Sequence, residues 1–307
     1  MTTPQVAIIG AGIAGLACAH ALRQHGIESI IYEKSRGPGG RISSKRTDNS
    51  SVDLGAQYFT ARDPGFAALA LQAEQAGALA RWEPNLAMID DAGIQASPDT
   101  QTRWVGAPRM GAFAHYLARD LRIEPATRIG EHRSLTELRA QFTSVVIATP
   151  ADQARALLPD LKVPAQAPCW AVWIDIDRDQ PFDAAFVKTG PLRWIANDAS
   201  KPGRATRRRW VLHATPSWSD TNLELSAEQV LLKLTEAAGG LLPNAFRVED
   251  GHAHRWRYAR PWDDQTAMAD ACIDAGDHLW VAGDYCMGGR VEGAWLSGVA
   301  AAQRIMR

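Results

Sequence analysis

The chain has 307 residues, 46% of them hydrophobic, enough to fill one large core or two interleaved ones. Its 33 Lys and Arg against 34 Asp and Glu leave a formal charge of -1, so no global field draws it to nucleic acid or to an anionic membrane. Cys18, Cys169, Cys272 and Cys286 lie far apart with no C-x-x-C pair, which argues against a metal site or a disulfide framework and predicts a reducing, cytoplasmic compartment.

The first apolar run, Val6 to Leu22, has no Lys or Arg before it, and its glycines are spaced for folding rather than export. Gln5 to Ile9 reads as a short buried strand that runs into Gly10-Ala11-Gly12-Ile13-Ala14-Gly15 and then a helix through Leu22 and Arg23. Gly10 permits a tight turn, Gly12 lets backbone approach a pyrophosphate, and Gly15 lets the helix sit close to the sheet. The phosphate would meet the helix N-terminus. A second strand, Glu28 to Tyr32, ends in Glu33, 33 − 15 = 18 residues past the last glycine, where a carboxylate can accept ribose hydroxyls. Lys34 follows at once. The continuation Gly37-Pro38-Gly39-Gly40-Arg41-Ile42-Ser43-Ser44 resembles the G-G-R-x-x-S/T motif of the flavin-containing amine oxidase superfamily. That resemblance implies FAD, with Arg41 beside the diphosphate, where a guanidinium makes charge-assisted contacts.

Next in order comes Val52-Asp53-Leu54-Gly55-Ala56-Gln57-Tyr58-Phe59, and later Ser144 to Thr149, a buried strand of parallel type. Cys169 to Asp177 and Arg209 to Thr215 alternate as half-buried strands do, and Ala227 to Ala238 is expected to cover them as a helix. Arg207-Arg208-Arg209 reads as a solvated strand edge, with a grip on a phosphorylated substrate as the other reading. Leu279 to Ala282 is a strand ending in Gly283-Asp284, and Gly288-Gly289-Arg290-Val291-Glu292-Gly293-Ala294 opens a helix through Ile305. This segment resembles the superfamily's second FAD motif, in which Asp284 would bond the ribityl or phosphate region. The helix N-terminus near Gly293 and Ala294 would then face the flavin and stabilise charge near N1.

Three interior segments narrow the resemblance to the renalases. Residues 52–59 look like their D-L-G-A-Q-Y segment, Leu192-Arg193-Trp194-Ile195-Ala196-Asn197-Asp198-Ala199-Ser200-Lys201 like their I-R-F stretch ending in D-x-x-K, and His254-Arg255-Trp256-Arg257-Tyr258-Ala259 like their K-W-R-H-S segment. Tyr285-Cys286-Met287-Gly288-Gly289-Arg290 departs from the animal form and suggests a bacterial type. The resemblance implies dissociable FAD and an oxidase that takes a hydride from 2- or 6-dihydro isomers of NAD(P), passing electrons to oxygen to give NAD(P)+ and hydrogen peroxide. A dihydropyridine is already a hydride donor, so such a protein must mainly stack it at the flavin.

The expected fold is α/β, an FAD-binding Rossmann-like domain (1-68, 112-160 and 270-307) with an interleaved α+β substrate domain (69-111 and 161-269) built on an antiparallel sheet. Gln57, Tyr58, Trp194, Asn197, Trp256 and Tyr258 are the pocket candidates, rings for stacking and amides for a carboxamide. Gly10, Gly12, Ile13, Ala14, Gly15, Glu33, Lys34, Gly40, Arg41, Ala56, Gln57, Gly283, Asp284, Gly293 and Ala294 are the cofactor candidates. His254 reads as a structural or surface histidine rather than a base. Eleven tryptophans suit either a flat ligand or core filling. The partners expected are a small-molecule substrate and molecular oxygen, with neither nucleic acid nor membrane. An amine oxidase with an aromatic cage, a flavin bound covalently through Cys286, and a flavin-holding scaffold without turnover stay open. No second G-x-G-x-x-G appears, which argues against a dedicated Rossmann site for NADPH.

Overall fold

Four consecutive apolar residues, Val6–Ile9, form the first strand, and all four are buried because it has neighbours on both edges. A computed structural model describes residues 5–47, 50–205, 208–263 and 268–307. In it Val6–Ile9 pairs in parallel with Ser29–Tyr32 on one side and Ser144–Ile147 on the other. Leu279–Val281 extends the parallel run, and the short polar edges Arg122–Glu124 and Ile273–Asp274 complete a six-stranded sheet. Continuous apolar strands belong in a sheet covered on both faces. Val6, Ile8, Ile31 and Val146 turn to one face, against Leu16, Leu22 and Ala301; Ala7, Ile9, Ile30 and Val145 turn to the other, against Leu138 and Ala154.

Helices Ile13–Gln24 and Val291–Ile305 touch backbone to side chain on the first face. A Cβ built on Gly298 would lie 2.0 Å from the Ala14 carbonyl oxygen and 3.0 Å from the Ala17 Cβ. Gly298→Ala must therefore push the helices apart and is expected to cost about 2–3 kcal/mol, the range for overpacking a tight contact. Denaturant unfolding of the purified chain checks this; an unchanged midpoint would mean the helices do not meet there.

The second sheet has seven strands in the order Val248–Pro261, Gln166–Ile176, Arg209–Ala214, Leu192–Asn197, Ala184–Val187, Leu86–Asp90, Gly93–Ala96. It is antiparallel as expected, apart from one parallel pair between Ala184–Val187 and Leu86–Asp90. Alternation divides its faces. Trp170, Val172 and Ile174 pack on Val230, Leu234 and Ala238 of helix Ala227–Gly239, whereas Ala171, Trp173 and Val211 pack on Val52 and Leu54 of the first unit. The expected helix thus forms, but it backs the sheet on the side away from the first unit, and the bare sheet face looks inward. Helix Pro64–Gln75 runs across residue 68, and Leu79, Trp82 and Trp104 of the following strand pair sink into the first core with Phe66 and Phe113. Of residues 69–111, the stretch Leu86–Ala96 joins the second sheet.

The arginine triplet is corrected at one position. Arg209 is buried, donates to both Asp175 carboxylate oxygens at 2.7 Å and lies over the Trp173 ring, so it is a core ion pair rather than a solvated edge. Arg208 is exposed and paired with Asp179, and Arg207 lies outside the described residues. No helix among the described residues is long and apolar enough to cross a membrane, and no group of three metal-ligating side chains occurs among them.

Candidate functional site

The glycine turn has the geometry its sequence demands. Gly10 has φ +105, and a Cβ there would sit 2.8 Å from the Ala148 carbonyl oxygen. Gly12 caps helix Ile13–Gln24 without any side-chain bond, and nothing lies within 4 Å of where its Cβ would be. The first N–H groups of the helix therefore face open space, where an anion can take them. The loop bearing Gly39 and Gly40 folds over this turn, Gly39 N–H donating to the Ala11 carbonyl at 2.8 Å.

Glu33 stands at the end of its strand, buried. One carboxylate oxygen accepts from Ala11 N–H at 2.8 Å and the other from Ser35 N–H at 2.7 Å. These two bonds fix the carboxylate and leave lone pairs for two hydroxyls. Lys34 beside it bonds Gln153 Oε1 at 3.0 Å; burial, then the Arg128 charge, lowers its pKa, with Glu33 opposing.

Farther along, Arg41 joins the two ends of the chain. It grips both oxygens of Asp284, at 2.6 and 2.8 Å, and donates to the Ala259 carbonyl at 3.0 Å. The two residues singled out for the diphosphate region are thus each other's partners.

All these groups line one cavity of about 1710 Å³, which runs from Glu33 past Arg41 to the inner face of the second sheet. A single small-molecule pocket is roughly 300–1,000 Å³, so the volume has room for an extended dinucleotide and a second molecule. Gly10, Gly12, Ile13, Glu33, Lys34, Gly40, Arg41, Ala56, Gln57, Asp284 and Ala294 line it, as do Tyr58, Trp194, Trp256 and Tyr258. Ala14, Gly15, Gly283 and Gly293 lie behind the wall as packing residues: a Cβ would fall 2.0 Å from Gly10 O at Gly15, 2.3 Å from the Tyr285 ring at Gly283 and 2.7 Å from Met287 O at Gly293. Asn197 is not on the wall either; its side chain accepts from Ala199 N–H and caps the turn Asp198–Ser200. Gln57 is on the wall, but its amide donates to the carbonyls of Asp53 and Gly55 and accepts from Lys201, so it is committed to its own loop.

The lobe at the sheet end is walled by Tyr58, Phe186, Trp194, Trp256 and Tyr258, with Cys169, His213 and His254 among them. Trp256 Nε1 donates to the Leu54 carbonyl at 3.0 Å, and His213 Nε2 approaches the same oxygen at 3.0 Å. Burial brings the pKa of His213 down to about 4, with Lys201 and Arg193 adding and the Leu54 bond opposing. His254 stands edge-on to Trp256 at 4.6 Å and falls to about 4 through burial, then Lys45 and His252. Both are neutral imidazoles at pH 7. Cys286 is buried off the wall, its thiol pushed up to about 12 by burial, so it offers no reactive thiolate to a flavin.

Sequence reasoning missed two features. One is a sealed network under the 53–58 loop: Lys201 Nζ donates to Asp198 at 2.7 Å and Gln57 at 3.1 Å, while Arg204 bonds Asp53 and the Gly106 carbonyl. The acid three residues before Lys201 was the available signal. The other is charge: among the described residues thirteen Lys and Arg line the cavity against two acids, Glu33 and Asp284, in a chain whose total is -1. That imbalance is invisible in composition because it is local.

Residues 8–71 match the family model described as an NAD(P)-binding Rossmann-like domain. The chain is 45% identical over 62 residues to coproporphyrinogen III oxidase of Staphylococcus aureus, 20% of this chain and 13% of that protein. It is 35% identical over 105 residues to hydroxyneurosporene desaturase of Rubrivivax gelatinosus, 30% and 20% of the two chains. The chain spans less than a quarter of the length of these relatives. Over its whole length it superposes on a putative protoporphyrinogen oxidase from Exiguobacterium, with TM-score 0.75, 12% identity and 99% of both chains covered. It also superposes on a redesigned putrescine oxidase, with TM-score 0.70, 13% identity and 99% and 98% covered. Fold and groove together define a Rossmann-type dinucleotide-binding protein with the architecture of FAD-dependent amine oxidases. Its cofactor is FAD, which the uncapped helix, the open space at Gly12 and the fixed Glu33 carboxylate fit.

Proposed function

We propose that the chain is an FAD-dependent oxidase of renalase type, taking a hydride from 2- or 6-dihydro isomers of NAD(P) and giving NAD(P)+ and hydrogen peroxide. One dihydro-NAD(P), one oxygen and one proton yield one NAD(P)+ and one peroxide. FAD, when bound, would supply the two-electron acceptor that this chemistry needs. Glu33 would hold the adenosine ribose, the helix N-terminus at Gly12 and the Arg41 loop the diphosphate, and the helix beginning at Val291 would stabilise charge on the flavin.

The observation that carries the reading is the character of the sheet-end lobe, aromatic and cationic with no carboxylate on its described wall to hold an ammonium group. Tyr58, Trp194 and Trp256 offer faces for a pyridine ring. His213 and His254 are neutral at pH 7, so neither offers an imidazolium acid to the lobe, which suits a hydride donor that needs none. An amine substrate would have to enter among these cations, against their field.

Anaerobic mixing of the FAD-loaded chain with a panel of dihydronicotinamides and amines tests this. Flavin bleaching by 2- or 6-dihydro-NAD(P) and none by putrescine is the expected result. Aldehyde release from an amine would replace the reading by an amine oxidase, and bleaching by no donor would leave a flavin-binding protein without turnover.

A further inference from the structure

Two of the cavity's cations are placed by breaks in strand register. Where Leu192–Asn197 pairs with Arg209–Ala214, Leu192 faces Ala214 and Trp194 faces His213, so Arg193 is the extra residue of a β-bulge. Neighbouring strand residues point to opposite faces unless such a bulge re-aims one. Here Arg193 and Trp194 both line the cavity. In the other irregularity Arg260 faces Ala167 and Trp256 faces Cys169, which leaves three residues between them on one strand against one on its partner, and all of residues 256–260 reach the wall.

The two arginines start from strands with two others between them, about 14 Å of sheet. Their side chains nevertheless converge on one acid: Asp263 lies 2.7 Å from Arg260 Nη2 and 3.7 Å from Arg193 Nη1. Among the described residues one carboxylate faces two guanidiniums, an excess of positive charge, and burial followed by the Arg193 charge lowers the Arg260 pKa. Arg193 Nη1 and, on the next residue, Trp194 Nε1 are sealed beneath the wall with no hydrogen-bond partner among the described residues. The Arg193 and Arg260 side chains nevertheless keep 32% and 37% of their surface open, so their remaining N–H groups can meet an acceptor in the cavity.

We propose that Arg193 and Arg260 form an oxyanion subsite that holds a phosphate or carboxylate of the substrate and makes the lobe select anionic ring compounds over uncharged ones. This rests on the oxidase reading for its ligand, the 5′-phosphate of a dihydronicotinamide nucleotide. Arg193 and Arg260 are specificity-determining residues and take no part in the hydride step.

The test is calorimetric titration of the FAD-loaded chain with three ligands that do not react: nicotinamide mononucleotide, nicotinamide riboside and coproporphyrin III, a tetracarboxylate. The mononucleotide is expected to bind roughly 10- to 100-fold more tightly than the riboside, the worth of hydrogen bonds to a charged group. Arg193→Gln and Arg260→Gln are each expected to erase most of that preference while leaving riboside affinity within about twofold, and Arg193→Lys to keep part of it. Equal binding of mononucleotide and riboside by the parent chain, with no binding of the porphyrin, overturns the subsite. So does an Arg193→Gln variant that loses mononucleotide and riboside equally, as a packing role would. Porphyrin binding that depends on Arg193 and Arg260, without mononucleotide binding, keeps the subsite and removes the dihydronicotinamide reading. Should either glutamine variant fail to retain FAD, the salt dependence of mononucleotide binding by the parent chain decides: a salt-insensitive affinity counts against the subsite.

Discussion

Asp198→Ala is expected to cost about 3–5 kcal/mol, because it strands a fully buried ammonium. Lys201 and Asp198 have side chains 0% and 3% exposed and meet at 2.7 Å. With the carboxylate gone, the Lys201 ammonium keeps the Gln57 side-chain oxygen at 3.1 Å, a neutral acceptor that cannot balance its charge. The loss should appear as a fall of roughly 6–10 °C in the thermal midpoint for a chain of this size. Lys201→Met combined with Asp198→Asn removes both charges and is expected to recover most of it. A double-mutant cycle in which the two changes simply add would show that the pair is not coupled.

Glu33→Ala is expected to weaken FAD binding about 100-fold, through loss of charge-assisted bonds to the ribose and of the two backbone bonds that shape the turn. Glu33→Gln, which keeps one acceptor oxygen, should lose roughly tenfold. Titration of the stripped apoprotein with FAD, followed by quenching of flavin fluorescence, gives both numbers, and the apoprotein's own unfolding midpoint separates binding from folding. Parent affinity in Glu33→Ala would mean that the adenosine end lies elsewhere.

The dinucleotide unit was legible because each of its requirements is local: a turn that needs φ +105 at Gly10, a helix without a side-chain cap at Gly12, an acid at a strand end. The flanks of the second sheet were less so. Val248–Pro261 carries five Arg and His residues and reads as polar, since much of one face looks into a cavity rather than a core. Arg122–Glu124 and Ile273–Asp274 are edge strands held by two or three pairings each, too short to show alternation. Asn197 looked like a ligand group and is a cap, because a side chain two residues from a turn N–H can satisfy that donor first. Arg209 looked solvated and is buried, because its carboxylate partner Asp175 comes from a strand 34 residues away. The bulge at Arg193 cannot be read from its own strand, as register belongs to a pair.

The clasp between Arg41 and Asp284 spans 243 residues of chain, and Gly298 closes on Ala14 across a still longer interval. During synthesis, then, the glycine turn emerges well before its wall can be finished by residues near 300. A nascent chain stalled before that point exposes the apolar flank of helix Ile13–Gln24. The vitamin-derived cofactor would be captured late, after these distant segments have met, rather than as a seed for folding.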